Sequence, residues 1–191
     1  DVQMELDDFP VDLDELTKRR ETFQNFGYLK LENVLRPEQV EAVLEAIESI
    51  RPSLEASGHR RNARKPGLNV RPMIDKHPVF KDLLVLDTVF PTVVALLNHY
   101  NIQLTQSNLI EAEPSNDARL TGWHSDGGTP ALAVNGIRAF GSLKVGFCLR
   151  DLLEEDMGSL MVVPGSHRLQ GDPPFPPDSL DPVGATQLQL A

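Results

Sequence analysis

Hydrophobic and polar positions change their rhythm about half-way along the chain. Asp12-Leu13-Asp14-Glu15 has the pattern of a capping box, and the helix it opens is expected to end near Gly27. Leu29 and Leu31 then alternate with polar neighbours as in a short strand. Pro37 suits the first turn of a second helix. Val40, Val43, Leu44 and Ile47 share one face of it, and Pro52 is expected to lie beyond its end. Residues 58–76 carry Gly58, Pro66, Gly67 and Pro72, which predicts loop. Val79 to Tyr100 reads as one or two helices, with Pro91 as a start for the second.

From there on the period shortens. Strand-like runs occupy 102–112, 119–124, 142–149 and 159–164, separated by turn residues, and residues 184–191 look like a further strand beginning. Helices first and strands after predict an α+β chain, mainly β in its second half, with helices packed on a sheet. The expected division is a helical entry over 1–100 and a stranded part over 101–191, within one domain.

Length and composition agree with one soluble domain: 191 residues, 40% hydrophobic and 24% charged. No apolar run reaches the length of a membrane helix, and the first eight residues are acidic, without a signal-peptide pattern. The formal charge of −10 excludes general nucleic-acid affinity, which needs a basic face. With the single Cys148 no internal disulfide can form, so a reducing, cytoplasmic location is expected, with Cys148 as a packing residue. One segment departs from the acidic balance. Arg60, Arg61, Arg64, Lys65, Arg71 and Lys76 cluster, either as a solvated loop or as a lid that brings positive charge to an anionic substrate.

The candidate chemistry lies at His124-Ser125-Asp126. In an extended strand, residues two apart point the same way, so His124 and Asp126 can reach one metal ion while Ser125 faces away. An imidazole and a carboxylate, joined by a second histidine, make the facial triad of Fe(II) oxygenases. The pair alone is weak: with five histidines in this composition, about 0.4 such pairs arise by chance. Context has to add to it.

The context is a resemblance. The Trp123-His124-Ser125-Asp126 run, the strand Ser142 to Leu149, the acidic turn Glu154 to Gly158 and the stretch Ser159 to Arg168 resemble, in order, the phytanoyl-CoA dioxygenase family. Phe26 to Leu35, running into Pro37-Glu38-Gln39-Val40, is similar to that family's strand-then-helix entry. The resemblance implies a double-stranded β-helix (a cupin-like jelly roll). It also implies Fe(II) on His124 and Asp126, 2-oxoglutarate as co-substrate, and O2 and a small organic molecule as the other reactants. A carboxylate at Asp126 implies hydroxylation or another oxidation rather than halogenation.

Gln106 and Asn108 share one strand face with Ile102, Leu104 and Ile110, so an inward apolar face would carry both amides to 2-oxoglutarate or substrate. The open alternatives are backbone-satisfied amides or a register that turns them to solvent. Phe147 stands where the family carries an aromatic against the co-substrate, though an apolar core residue is equally expected there. In the family the histidine matching His167 is not an iron ligand, so it is expected to shape its turn by hydrogen bonding. His59, His77 and His99 are expected to be exposed. The family's second histidine ligand and its co-substrate arginine come well after this turn. No histidine occurs between Leu169 and Ala191, so both are expected beyond Ala191, in a longer chain whose last strands these 191 residues lack. The rival expectation is a non-catalytic jelly-roll binding protein with an incomplete metal site. A cupin-like isomerase or lyase would usually show more histidine ligands.

Overall fold

The computed structural model describes residues 12–58, 67–98, 101–113, 122–124, 133–134, 137–138, 142–154, 157–169 and 182–191. Helix α1 spans Leu13–Phe26. The Asp12 carboxylate accepts from the Asp14 N–H at 2.9 Å, satisfying one orphan donor of the first turn. Glu15 turns instead to Arg19, 3.0 Å away, so the reciprocal half of the expected capping box gives way to an i,i+4 ion pair. Gly27 closes α1 in the left-handed region, at φ 80°. Residues 28–32 adopt no strand, contrary to the expectation from Leu29 and Leu31.

Helix α2 runs Pro37–Ala56, with the Arg36 N–H bonded to the Gln39 side chain at its start. Pro52 sits inside this helix, not after it. An interior proline costs about 3 kcal/mol. The chain continues because the next turn buries Leu54 to 2% exposure, and a buried leucine contributes about 1.5–3 kcal/mol. Sequence alone weighs only the proline.

Residues 67–70 correct the loop expectation: Gly67–Val70 is strand β1. It pairs antiparallel with β2, Leu109–Ala112, in the register Leu68 opposite Glu111 and Val70 opposite Leu109. Leu68 and Val70 join Val43, Ala46, Ile47 and Leu54 of α2 in the main core, with Leu109 packed against it. A short helix α3, Val79–Asp82, adds Phe80 to this core and passes into a 3-10 turn at Leu83–Val85. Helix α4, Phe90–Leu97, begins with Pro91 in its first turn, as expected. Its buried Thr92 hydroxyl accepts from the Arg19 guanidinium at 2.8 Å, tying α4 to α1.

The run at 102–112 is thus a strand only over its last four residues. Its alternation is offset from an inward-facing apolar stripe. Because Leu109 is committed to the helix side, Ile110 turns away and stays 58% exposed, with Leu104 also exposed. Residues 142–149 form no strand, although Leu149 reaches the core. Of the 159–164 run, β5 keeps Met161–Val162, paired with β6 at Thr186–Gln187, where a strand beginning was expected. Residues 182–191 continue along the same edge. Leu190 exchanges backbone hydrogen bonds with Leu152, and the Ser159 hydroxyl donates to the Leu188 carbonyl. A third ribbon joins β3, Ala133–Val134, to β4, Ile137–Arg138. Among the described residues the architecture is therefore helices with three two-stranded antiparallel ribbons, and these ribbons do not join into a closed barrel.

Candidate metal and co-substrate site

His124 is exposed, beside a half-buried Trp123. Its Nδ1–H donates to the Gly122 carbonyl at 2.8 Å. A carbonyl only accepts, so this bond fixes the tautomer and puts the ring's lone pair on Nε2, the arrangement that metal-ligating histidines use. The donor chemistry of His124 therefore fits a divalent metal. Asp126, the other expected ligand, lies outside the described residues, as do residues 119–121, while residues 122–124 adopt no strand, contrary to the run expected over 119–124. No group of three histidine, cysteine or acidic residues converges for a metal among the described residues.

The co-substrate candidates separate. Gln106 is exposed, and Asn108 and Phe147 are half-buried. Ser107, between the two amides, turns the other way, and its hydroxyl accepts from the N–H groups of Met73 and Ile74 at 3.0 Å each. That anchor holds the segment before β2 against Met73 and Ile74 and leaves Asn108 on the opposite side. Sequence reasoning missed Asn69, whose Oδ1 is buried without a hydrogen-bond partner, like that of Asn108. A polar residue inside the apolar run Leu68-Asn69-Val70 was the available signal.

Within the Pro-Gly-Ser-His turn, His167 Nε2 donates to the Gln24 carbonyl at 3.0 Å and the Gly165 N–H donates to the Phe26 carbonyl at 2.8 Å. The turn is thus moored to the C-terminal end of α1, and His167 has the shape-holding bond expected of it. His77 is half-buried rather than exposed; its Nδ1 accepts from the Val79 N–H at the start of α3. His59, His99, Arg60, Arg61, Arg64 and Lys65 lie outside the described residues, while Arg71 and Lys76 are exposed. Cys148 is half-buried, and burial pushes its thiol pKa up, which suits a packing residue rather than a nucleophile. An open groove of about 690 Å³ along α2, lined by Pro37, Val40, Glu41, Leu44, Glu45 and Glu48, contains none of the expected site residues.

The family model of phytanoyl-CoA dioxygenase (PhyH) matches residues 23–180. The chain belongs to the phytanoyl-CoA dioxygenase family. The matched span runs from the second half of α1 past the Pro-Gly-Ser-His turn and includes both His124 and Asp126. Members of this family are in general Fe(II)- and 2-oxoglutarate-dependent oxygenases of cupin-like fold, which gives the chain a dioxygenase-type context. No curated protein and no solved structure matches the chain. No described helix is long and apolar enough to cross a membrane.

Proposed function

We propose that this protein is an Fe(II)/2-oxoglutarate-dependent dioxygenase that hydroxylates a small organic molecule. The observation that carries the reading is the family match over 23–180, with the His124-Ser125-Asp126 triplet inside it. The Nδ1 hydrogen bond of His124 supports it, because that tautomer presents Nε2 as a ligand.

In this reading His124 and Asp126 hold the iron. The reading requires a further histidine on the metal and a cationic partner for the co-substrate carboxylate. Fe(II) with 2-oxoglutarate would supply the oxidising power drawn from O2. The protein's own work is to orient the ligands and keep the pocket dry. In this reading Gln106 and Asn108 would reach 2-oxoglutarate or substrate from the segment that Ser107 anchors, and Phe147 would form an apolar wall beside 2-oxoglutarate. The basic segment around Arg60 to Lys76 would draw in a substrate with an anionic group. The protein would work in the cytoplasm, with Cys148 reduced.

The test is an anaerobic titration with Fe(II) and 2-oxoglutarate, watching the visible charge-transfer band of the chelate. The band is expected in the intact protein and absent in His124→Ala and Asp126→Ala. Asp126→Ala should also abolish hydroxylation, and full activity in that variant would remove Asp126 from the ligand set. A folded intact protein without the band would instead be a non-catalytic jelly-roll binding protein.

A further inference from the structure

The β1–β2 ribbon has two faces with different contents. Asn69 stands opposite Ile110 and Val70 opposite Leu109. Directly paired residues share a face and successive residues alternate. Leu68, Val70 and Leu109 therefore point to the helical core, as their packing shows. Asn69 and Ile110 lie on the other face, and Asn108, the residue before β2, continues that face by the same alternation, diagonally from Asn69. Diagonal neighbours are about 7–8 Å apart along the backbone, close enough for two amides to meet one small group.

Both amide oxygens, Asn69 Oδ1 and Asn108 Oδ1, are buried and have no hydrogen-bond partner. Buried polar groups are nearly always satisfied, by protein or by ordered water, so two unpartnered acceptors on one face leave room for a donor from outside the chain. Their position out of bulk water is where such a bond counts most. The chemistry of the missing partner follows from the atoms. 2-Oxoglutarate at neutral pH has two carboxylates and a ketone, all acceptors, and O2 has no donor either. Neither can satisfy an amide oxygen.

We propose that Asn69 and Asn108 form the recognition point for the substrate to be oxidised, and that this substrate presents a hydroxyl or a protonated amine to the two amide oxygens. The proposal rests on the oxygenase reading above and narrows it. Asn108 belongs to the primary substrate and not to 2-oxoglutarate, and Asn69 is a specificity residue beside it. An anionic group elsewhere on the same molecule is compatible with this end being a donor.

The side-chain amide signals of Asn69 and Asn108 in the 15N-labelled full chain, assigned with Asn69→Asp and Asn108→Asp, report directly on the pair. Ethylammonium and ethylene glycol serve as donor probes, acetate and 2-oxoglutarate as acceptor probes. At least one donor probe is expected to shift both amides, while neither acceptor probe does. A response to ethylammonium alone identifies an amine site, and one to glycol alone a hydroxyl site. Asn69→Asp should tighten ethylammonium about fivefold, the gain of a partly shielded charge pair. No response to either donor, or a response of both amides to 2-oxoglutarate, overturns the proposal. The Fe(II)/2-oxoglutarate titration of the wild-type chain, run alongside, separates the two failures. A missing band removes the oxygenase reading, whereas the amide shifts decide the donor site independently.

Discussion

The imidazole of His167 lies across Gly27, so close that a β-carbon on Gly27 would fall 2.6 Å from its Cγ. The ring cannot swing aside freely, because Nε2 is bonded to the Gln24 carbonyl. Two positions 140 residues apart in sequence are thereby fitted to each other at the end of α1.

Gly27→Ala should lower the unfolding free energy by about 2 kcal/mol or more. About 1–2 kcal/mol of that comes from placing a side chain at φ 80° and the rest from displacing His167. In a His167→Ala background the steric part disappears and the backbone part stays. Urea unfolding of the two single variants and the double variant measures the difference. Equal penalties in both backgrounds would mean that the ring does not rest on Gly27.

Leu109 and Ile110 are adjacent but not equivalent. Leu109→Thr should cost about 1–3 kcal/mol, since it removes apolar packing against the α2 core. Ile110→Thr, at a 58% exposed position, should cost about 0.5 kcal/mol or less. Thermal unfolding of the pair checks the side assignment of β2, and a reversed order would invert it.

Arg51 grips both Glu111 oxygens, at 3.0 and 2.8 Å, and also Glu48, joining α2 to β2. Lysine keeps the charge but not the two-pronged geometry, so Arg51→Lys should destabilise by about 1 kcal/mol. A neutral result in urea unfolding would reduce this contact to an ordinary surface pair.

The same cluster sets an acid dependence. The hydrogen bond from Arg51 holds the Glu48 carboxyl below its ordinary 4.5. With the folded pKa below the unfolded one, the stabilisation is present above pH 4.5 and is lost as pH falls through the folded value. Arg51 is pushed up and stays protonated throughout, so it adds no slope of its own. Comparing wild type with Arg51→Met in unfolding at pH 6 and pH 3 should show wild type losing more. Parallel losses would dissociate Glu48 from Arg51.

Burial raises the Cys148 thiol above its ordinary 9.0. Alkylation by iodoacetamide in the folded chain should be slower than that of a peptide thiol at pH 8.5, with a midpoint above 9.0. Because the folded value is the higher, the associated stability is complete below the unfolded thiol's pKa and declines as pH rises through the folded one. A midpoint at or below 9.0 would contradict this burial.

What could be read without coordinates was local or carried by motif. The Asp12 cap, the Gly27 stop and the starts at Pro37 and Pro91 depend on residues within one or two turns of each other, so the chain states them directly. The family was legible because several short runs, from Trp123 to the Pro-Gly-Ser-His turn, occur in the family's order, which chance does not readily reproduce. Pro52 inside α2, β1 within an expected loop and the outward turn of Ile110 were not legible. Each is decided by a partner far away: Leu54 in the shared core, β2 pairing with Gly67–Val70, and Leu109 committed to the α2 side. The orphaned pair Asn69 and Asn108 belongs to the same class. Two amides 39 positions apart become one feature only when an antiparallel register sets them on one face, because backbone pairing, not sequence order, decides which side chains are neighbours.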